Sequence, residues 1–400
     1  MNFKQAVNII EAAKKKPELL ARDAYIEAQT RVDWFTSICF EMGPNCNRRC
    51  SGCYGNFGPK RKGLPKVRII KKALEEAVEL DFFYVGLTDG EALRHENREV
   101  VRLFAEYSER LPVGIKTNGV FAKTWDNTLN WLRFLKDNGF NLASQNNSID
   151  VSCGPMYQVS LGNYHRINHG VREVFPGIDY GKSFGYSFLR IDPLETEEDE
   201  TRLLEKIILL IGDCFSKKSK VPIKIVNKES EKKVKVIVDT ITPITINYDV
   251  VSANGRAYNL PICKLCLPEK TFNPEDLSFE PESEEILAIR SNGRVGFRGT
   301  SHCIRQGHLY GNLQDNSLTE IMREISRDPV YIGWRLGGAK FLYTLARELD
   351  SSLTIVGRTK CDVCHYLFSD KKRLGEIREY LGPDLEGKYK NYINRQLNSA

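Results

Sequence analysis

Strand-length apolar runs alternate with helical patterns along much of this 400-residue chain. The strand-like runs occupy residues 36–41, 81–88, 113–117, 148–153, 184–191 and 232–246, the last of them rich in β-branched residues. Patterns of helical period occupy residues 67–80, 96–110, 124–139, 163–175 and 194–215. Such alternation is typical of parallel strands joined by crossover helices. The sequence therefore predicts an α/β fold built on an open parallel sheet or a barrel.

The loops that follow these strands carry the unusual residues of the chain. A glycine-rich, basic loop, GPNCNRRCSGCYGNFG, begins at Gly43 after the first strand, and DGEALRH begins at Asp89 after the second. The third and fourth strands are followed by NG at 118–119 and GP at 154–155. In parallel α/β folds, functional residues gather at the carboxyl ends of the strands. We therefore expect these four motifs to meet at the end of the sheet or barrel where the strands have their carboxyl ends.

Three cysteines lie close together in the first of these loops, at Cys46, Cys50 and Cys53. A structural zinc site needs four ligands, and no further cysteine or histidine follows before His95. A cubane iron-sulfur cluster can be held at three of its irons, which leaves the fourth iron open to a substrate or cofactor. The triplet therefore predicts a three-thiolate 4Fe-4S cluster, with a zinc site or chance spacing as the alternatives.

A second set of cysteines lies late in the chain, at Cys263, Cys266, Cys303, Cys361 and Cys364. Two of the spacings are C-x2-C, and such a pair lets two thiolates reach one metal from a single turn. Taken alone, these residues leave open a second iron-sulfur cluster, a zinc site or no metal at all. The three remaining cysteines, Cys39, Cys153 and Cys214, stand alone in apolar surroundings and are interpreted as small buried hydrophobes.

Charge and hydropathy limit the classes of function. The formal net charge is only +6, with basic and acidic residues interspersed, so the composition does not argue for nucleic-acid binding. No apolar run is long enough to span a membrane, and residues 1–20 have no signal-peptide pattern. We therefore expect a cytoplasmic protein without a membrane partner. Residues 1–35 predict two amphipathic helices broken at Pro17, and the charged end of the chain predicts a helical, solvated cap or tail.

Taken together, the motifs resemble the radical S-adenosylmethionine (radical SAM) superfamily. The C-x3-C-x2-C spacing is the signature of that family, and Asp89, Gly90, Glu91 and Ala92 occupy the positions of its Gly-Gly-Glu-Pro motif. KTNG at 116–119 and VSCGP at 151–155 match its third and fourth strand-end loops. Downstream, ANGRAYNLPIC at 253–263, SNGRVGFRGTSHC at 291–303 and the helical segment that follows resemble the auxiliary-cluster domains called SPASM or twitch.

This resemblance implies a fold and a domain order. The expected fold is a partial (β/α)6 TIM-type barrel, the radical SAM core, with a C-terminal auxiliary-cluster domain. The implied boundaries are an N-terminal helical segment at 1–35, the core at 36–255, the auxiliary domain at 256–368 and a helical tail at 369–400.

The resemblance also assigns roles to the matching residues. Cys46, Cys50 and Cys53 would ligate the 4Fe-4S cluster, whose open iron chelates S-adenosylmethionine. Gly90, Glu91, Asn118 and Ser152 would bind that cofactor, with Glu91 on its ammonium group and Ser152 on its ribose. One-electron cleavage would then give a 5'-deoxyadenosyl radical that removes a hydrogen atom from substrate. The auxiliary cluster would be held by Cys303, Cys361, Cys364 and one cysteine of the Cys263/Cys266 pair.

Three hypotheses about the substrate and class follow. The first is a radical SAM enzyme that modifies a peptide or protein side chain, although residues 1–35 are too short for the leader-peptide module of many such relatives. The second uses the same chemistry on a small molecule or lipid precursor. Either would take electrons from a donor such as flavodoxin or ferredoxin. The third, from another class, is a non-catalytic zinc-binding or nucleic-acid-binding protein.

Overall fold

The structure is a computed structural model, and it divides the chain into two compact units. It describes residues 3–30, 35–50, 53, 57–60, 63, 65–143, 147–153, 161–178, 184–190, 223–230, 233–238, 242–250, 285–297, 309–353, 367–368 and 370–399. The first unit comprises Met1–Ile38, Leu267–Ile289 and Arg294–Ala400, and the second comprises Cys39–Cys266 and Arg290–Gly293. The predicted boundaries at 255 and 368 lie in or beside segments outside these described residues, so the four-part division stays a prediction.

The strands and helices of the two units are numbered together in chain order. The strands are β1 (Phe35–Glu41), β2 (Tyr84–Thr88), β3 (Val113–Thr117), β4 (Ser148–Cys153), β5 (Phe184–Arg190), β6 (Ile223–Ser230), β7 (Lys233–Val238), β8 (Thr242–Val250), β9 (Glu285–Ile289), β10 (Arg294–Phe297) and β11 (Leu309–Asn312). The helices are α1 (Phe3–Lys15), α2 (Asp23–Thr30), α3 (Val67–Glu79), α4 (Arg98–Tyr107), α5 (Trp125–Asp137), α6 (Leu161–Val174), α7 (Leu318–Ile325), α8 (Pro329–Leu349), α9 (Lys371–Leu381) and α10 (Leu385–Ser399). No helix among these described segments is both long and apolar enough to cross a membrane.

The sheet of the second unit follows the order β1-β2-β3-β4-β5-β8-β7-β6, and β1 contributes its residues 39–41 to this unit. The pairs β2–β3, β3–β4, β4–β5 and β5–β8 are parallel, so six strands follow one another in chain order as in a partial barrel. This arrangement confirms the predicted α/β class. The prediction of one strand over 232–246 was wrong, because β7 and β8 pair antiparallel as a hairpin and β6 extends it.

The two faces of this sheet differ in chemistry. Phe40 of β1 makes an edge-to-face contact with Phe104 of α4, which identifies the face covered by helices. The apolar residues of that face are buried, among them Val85, Leu87, Val113, Ile115, Ile149 and Val151. Burial of each such side chain stabilises the fold by about 1.5–3 kcal/mol. This helix-covered face therefore forms the core of the second unit.

The opposite face, called the inner face below, carries Cys39, Tyr84, Gly86, Gly114, Lys116, Ser148 and Asp150. A Cβ atom on Gly86 would lie 3.2 Å from the Tyr84 ring and 3.7 Å from the Cys39 sulfur, so all three residues share this face. A Cβ atom on Gly114 would overlap the Tyr84 hydroxyl group. The glycine at 114 therefore lets the Tyr84 ring lie across β2 and β3.

The first unit contains the antiparallel strands β9, β10 and β11 and six helices among its described residues. The predicted break at Pro17 is confirmed, because α1 ends at Lys15 and a short 3-10 turn precedes α2. A capping box formed by Ser317 and Glu320 starts α7. The predicted solvated tail was wrong, because helices α9 and α10 bury Leu374, Ile377, Leu381, Tyr389, Tyr392 and Ile393.

Candidate functional site

The cysteine loop leaves β1 at Glu41 and is closed on itself by backbone contacts. Asn45 and Gly58 form a parallel bridge, the Cys46 amide donates to the Gly58 carbonyl at 3.3 Å, and the Gly58 amide donates to Pro44 at 3.0 Å. Cys46 lies within this closure and is buried, whereas Cys50 and Cys53 are half-buried. The loop thus presents three thiols from one segment, with the first of them firmly placed.

Polar donors surround the sulfur atoms of this loop. The Asn118 side-chain amide donates to Cys46 Sγ at 3.8 Å, and the Phe57 backbone amide donates to Cys53 Sγ at 3.4 Å. Burial raises the pKa of the Cys46 thiol to about 12, and the negative charges of Glu91, Cys50 and Cys53 add to this effect. N–H donors on sulfur act in the opposite direction, because they favour the thiolate form that binds a metal cluster.

The structure does not gather the three thiols of the cysteine loop into a ligand set. Among the described residues, no three histidine, cysteine, aspartate or glutamate side chains are arranged to hold a metal ion. The donor set nevertheless fits a three-thiolate cluster, since all three sulfurs come from one loop and two of them already accept N–H groups.

The turn after β2 packs against the start of the cysteine loop. Asp89 and Gly90 both adopt a positive φ, at 59° and 97°. A Cβ atom on Gly90 would lie 2.5 Å from the Gly43 carbonyl oxygen, so glycine is required for this close approach. The Met42 amide donates to the carbonyls of Thr88 and Asp89, each at 3.0 Å. The structure therefore brings the first two predicted motifs into direct contact.

Glu91 is fully buried and its carboxylate accepts three hydrogen bonds. Oε1 accepts from the Leu93 amide at 2.9 Å and from the Thr117 hydroxyl at 2.6 Å, and Oε2 accepts from the Asn118 amide at 2.6 Å. Burial raises the pKa of Glu91, and these donors act in the opposite direction. In this arrangement Glu91 ties the loop after β3 to the loop after β2, while its predicted role on a cofactor ammonium stays a prediction.

The loop after β3 reaches the cysteine loop through Asn118. Its side-chain amide donates to Asn47 Oδ1 at 2.9 Å, and its Oδ1 accepts from the Val120 amide at 3.0 Å. Gly119 follows with a φ of 74°, and Asn163 of α6 donates to its carbonyl at 3.1 Å. Asn118, a predicted cofactor-binding residue, is therefore 94% buried between two of the strand-end loops.

Two residues of the second loop were not predicted from sequence. Arg94 Nη1 donates to the Asn45 carbonyl at 2.6 Å, directly before Cys46, while Nη2 pairs with Glu96 at 2.7 Å. The buried Asn97 donates to the carbonyls of Glu91 and Ala92 at 2.8 and 3.3 Å. Both lie in or just beyond DGEALRH, so the position of that loop after a parallel strand was the available signal.

Of the remaining predicted site residues, the structure describes Ser152 but not the late cysteines. Ser152 is buried near the end of β4, in register with Ser187 of β5. The five late cysteines, Cys263, Cys266, Cys303, Cys361 and Cys364, lie outside the described residues, and so does the auxiliary site that they predict.

Comparison with solved structures finds matches to this chain, whereas comparison by sequence finds none. The chain matches no family model and no curated protein sequence. One structural match is BtrN in complex with AdoMet and 2-DOIA, at 15% identity over 76% of this chain and 89% of that one, with a TM-score of 0.38. A second is Streptococcus suis SuiB bound to S-adenosylmethionine, at 13% identity over 82% and 78%, with a TM-score of 0.39.

A third match is native anSMEcpe with bound AdoMet, at 11% identity over 90% of this chain and 99% of that one, with a TM-score of 0.44. All three TM-scores lie below 0.5. Each of these three proteins was solved with AdoMet or S-adenosylmethionine bound, and the likeness to them assigns no role to a residue of this chain.

Proposed function

We propose that the chain is a radical SAM enzyme whose cluster is held by Cys46, Cys50 and Cys53. The observation that carries this proposal is the meeting of three strand-end loops around Cys46. Gly90 lies against Gly43, and Asn118 donates to both Cys46 and Asn47. A structural zinc loop does not need the next two strand-end loops of a parallel sheet, whereas a site that binds a cofactor beside its metal does.

The chain's own residues prepare this site for an anionic cluster and a cationic cofactor. The N–H donors from Asn118 and Phe57 stabilise thiolate sulfurs, and the Arg94 guanidinium fixes the backbone just before Cys46. Gly90, Glu91, Asn118 and Ser152 are proposed to bind S-adenosylmethionine. When bound, the cluster and cofactor would supply a one-electron cleavage that yields methionine and a 5'-deoxyadenosyl radical.

The substrate is proposed to be a peptide or protein side chain. Peptide complexes of SuiB and anSMEcpe, with SuiA and with the Cp18Cys and Kp18Cys peptides, are among the structural matches and show peptides bound by those proteins. A second cluster at the late cysteines, an electron donor such as flavodoxin or ferredoxin, and a cytoplasmic location are parts of the same proposal. The alternatives are a small-molecule substrate and a non-catalytic zinc protein.

The test is 5'-deoxyadenosine formation by iron- and sulfide-reconstituted protein with S-adenosylmethionine and dithionite under anaerobic conditions. We expect product from the wild type and none from a Cys46→Ala, Cys50→Ala, Cys53→Ala triple variant. A Cys214→Ala variant, which removes a cysteine outside both clusters, is the matched control and should retain product. Absence of product from wild type with a full complement of cluster iron and sulfide would refute the proposal, and stoichiometric zinc would favour the non-catalytic alternative.

A further inference from the structure

The inner face of the parallel sheet is not packed as a barrel core. The interior of such a barrel is usually filled by bulky branched residues. Here it carries glycines at 86 and 114 and charged residues at Lys116 and Asp150. The side chains of Lys116 and Asp150 are 40% and 30% exposed although they lie on the central strands β3 and β4. An accessible space therefore lies over this face.

Tyr84 forms the floor of that space. Its ring lies over Gly86 and Gly114, and its hydroxyl is hydrogen-bonded to Ser148 of β4. Burial raises the pKa of Tyr84 to about 12, and the nearby Cys39 and Asp150 side chains act in the same direction. The floor is thus a neutral, hydrogen-bonded phenol on the amino-terminal side of Lys116 and Asp150.

Lys116 and Asp150 form the layer above this floor. The two residues are directly opposite in the parallel register of β3 and β4, and Lys116 Nζ lies 3.7 Å from Asp150 Oδ2. A partly exposed ion pair of this length contributes about 0–1 kcal/mol. A ligand that offers better hydrogen bonds to both charges can therefore open the pair at little cost.

Each residue of this pair precedes by two positions a residue of the proposed radical site. Asn118, which donates to Cys46, follows Lys116 by two residues, and Ser152 follows Asp150 by two residues. Two residues of a strand rise about 7 Å, and residues two apart lie on the same face. A substrate group bound by Lys116 and Asp150 would thus place its neighbouring atoms near the carboxyl ends of β3 and β4, where Asn118 and Ser152 lie.

We propose that Lys116 and Asp150 anchor the substrate through an amino-acid or peptide main-chain group. The Lys116 ammonium donates to a carbonyl or carboxylate oxygen, and the Asp150 carboxylate accepts from an adjacent N–H group. An alkyl chain in the same position would remove water from this ion pair and offer neither charge a hydrogen bond, which is unfavourable. The proposal rests on the radical SAM function proposed above, and it excludes a lipid chain as the group that enters this space.

The test follows hydrogen transfer from deuterated probes. Reconstituted enzyme, S-adenosylmethionine and dithionite are incubated with a uniformly deuterated peptide digest of algal protein or with uniformly deuterated hexadecanol. In a productive complex a C–D bond of the probe breaks and the deuterium joins the 5' carbon of deoxyadenosine. Mass spectrometry then gives total deoxyadenosine, which reports the proposed function, and its deuterated fraction, which reports the anchor.

We expect deuterated product from the peptide digest and none from hexadecanol. Lys116→Met and Asp150→Asn should each lower the deuterated fraction at least tenfold, and Lys116→Arg should restore part of it. Arg102→Met removes an ion pair of similar length, 3.6 Å to Glu106 on α4, and should leave the fraction unchanged.

Three results would overturn the anchor while total deoxyadenosine stays present. These are deuterium transfer from hexadecanol, no transfer from the peptide digest in the wild type, and equal transfer in the Lys116→Met and wild-type enzymes. Absence of all deoxyadenosine from the wild type would instead refute the radical SAM function, and the anchor with it.

Discussion

Two aspartates of this protein, one in each compact unit, pair with a cation in contrasting ways. Asp328 of the first unit is almost fully buried and receives Arg378 through two hydrogen bonds, at 3.1 and 2.7 Å. It also accepts from the Tyr310 hydroxyl at 2.6 Å and from the Val330 amide at 2.9 Å. Asp150 Oδ2 of the second unit lies 3.7 Å from Lys116 Nζ, and both side chains are partly exposed.

The difference separates an ion pair that holds a fold from one that can bind a ligand. The donors to Asp328 join β11, the start of α8 and helix α9, so its charge is fully used within the unit. A bidentate guanidinium also fixes the geometry far more than a single ammonium does. The Lys116–Asp150 pair joins only adjacent strands that already share a hydrogen-bonded ladder. Because that ladder holds the two strands together, opening the ion pair would cost the fold little.

The largest effect is expected from Asp328→Ala. The substitution leaves the Tyr310 hydroxyl and the Arg378 guanidinium without their acceptor and removes the cap of α8. Loss of one partner of a buried pair costs about 3–5 kcal/mol, and because Arg378 is 45% exposed we expect about 3 kcal/mol. Urea unfolding measures this loss, with the buried Trp334 of the same unit as the fluorescent reporter.

The matched control for that change is Asp370→Ala. Asp370 caps α9 through the amides of Lys372 and Arg373, yet it lies at the surface. We expect a clearly smaller loss of unfolding free energy than for Asp328→Ala. Equal losses in the two variants would show that Asp328 acts as a helix cap alone and that the buried ion pair adds nothing.

A smaller effect is expected from Gly114→Ala. The new methyl group would overlap the Tyr84 hydroxyl and force the ring from its place across β2 and β3. Overpacking of this kind costs about 1–3 kcal/mol. Thermal unfolding of Gly114→Ala, Tyr84→Ala and the double variant gives the coupling between the two sites. The double variant should lose less free energy than the sum of the single variants, and simple additivity would contradict the proposed floor.

Much of the parallel sheet could be predicted because apolar runs of strand length alternate with helical patterns. The strands from β1 to β5 lie within a few residues of the predicted runs. The hairpin of β7 and β8 was missed because residues 239–241, Asp-Thr-Ile, carry no glycine or asparagine turn signal between two β-branched halves. The charged tail was misread because its apolar residues, such as Leu374 and Ile377, are sparse although they recur at helical spacing.

The sequence predicted those residues of the candidate site that lie close together in the chain. It did not predict residues that become neighbours only through the pairing of two strands. The spacing in the sequence identified Cys46, Cys50 and Cys53 as candidates, and the position after β2 identified Gly90. Lys116 and Asp150 are 34 residues apart and become neighbours only because β3 and β4 pair in one particular register. No single-sequence pattern fixes that register, so the charged layer of the inner face required the structure.

The smallest effect on stability is expected from Lys116→Met, and it sharpens the contrast with Asp328 most directly. An exposed pair at 3.7 Å contributes little, so the unfolding free energy should change by no more than about 0.5 kcal/mol. A double-mutant cycle with Asp150→Asn, measured by thermal unfolding, should give a coupling energy below about 1 kcal/mol. A coupling as large as the loss caused by Asp328→Ala would mean that both ion pairs serve the fold. Because a charge that stabilises the sheet so strongly could not be released at little cost to a ligand, that result would also remove the physical basis for an anchor at Lys116 and Asp150.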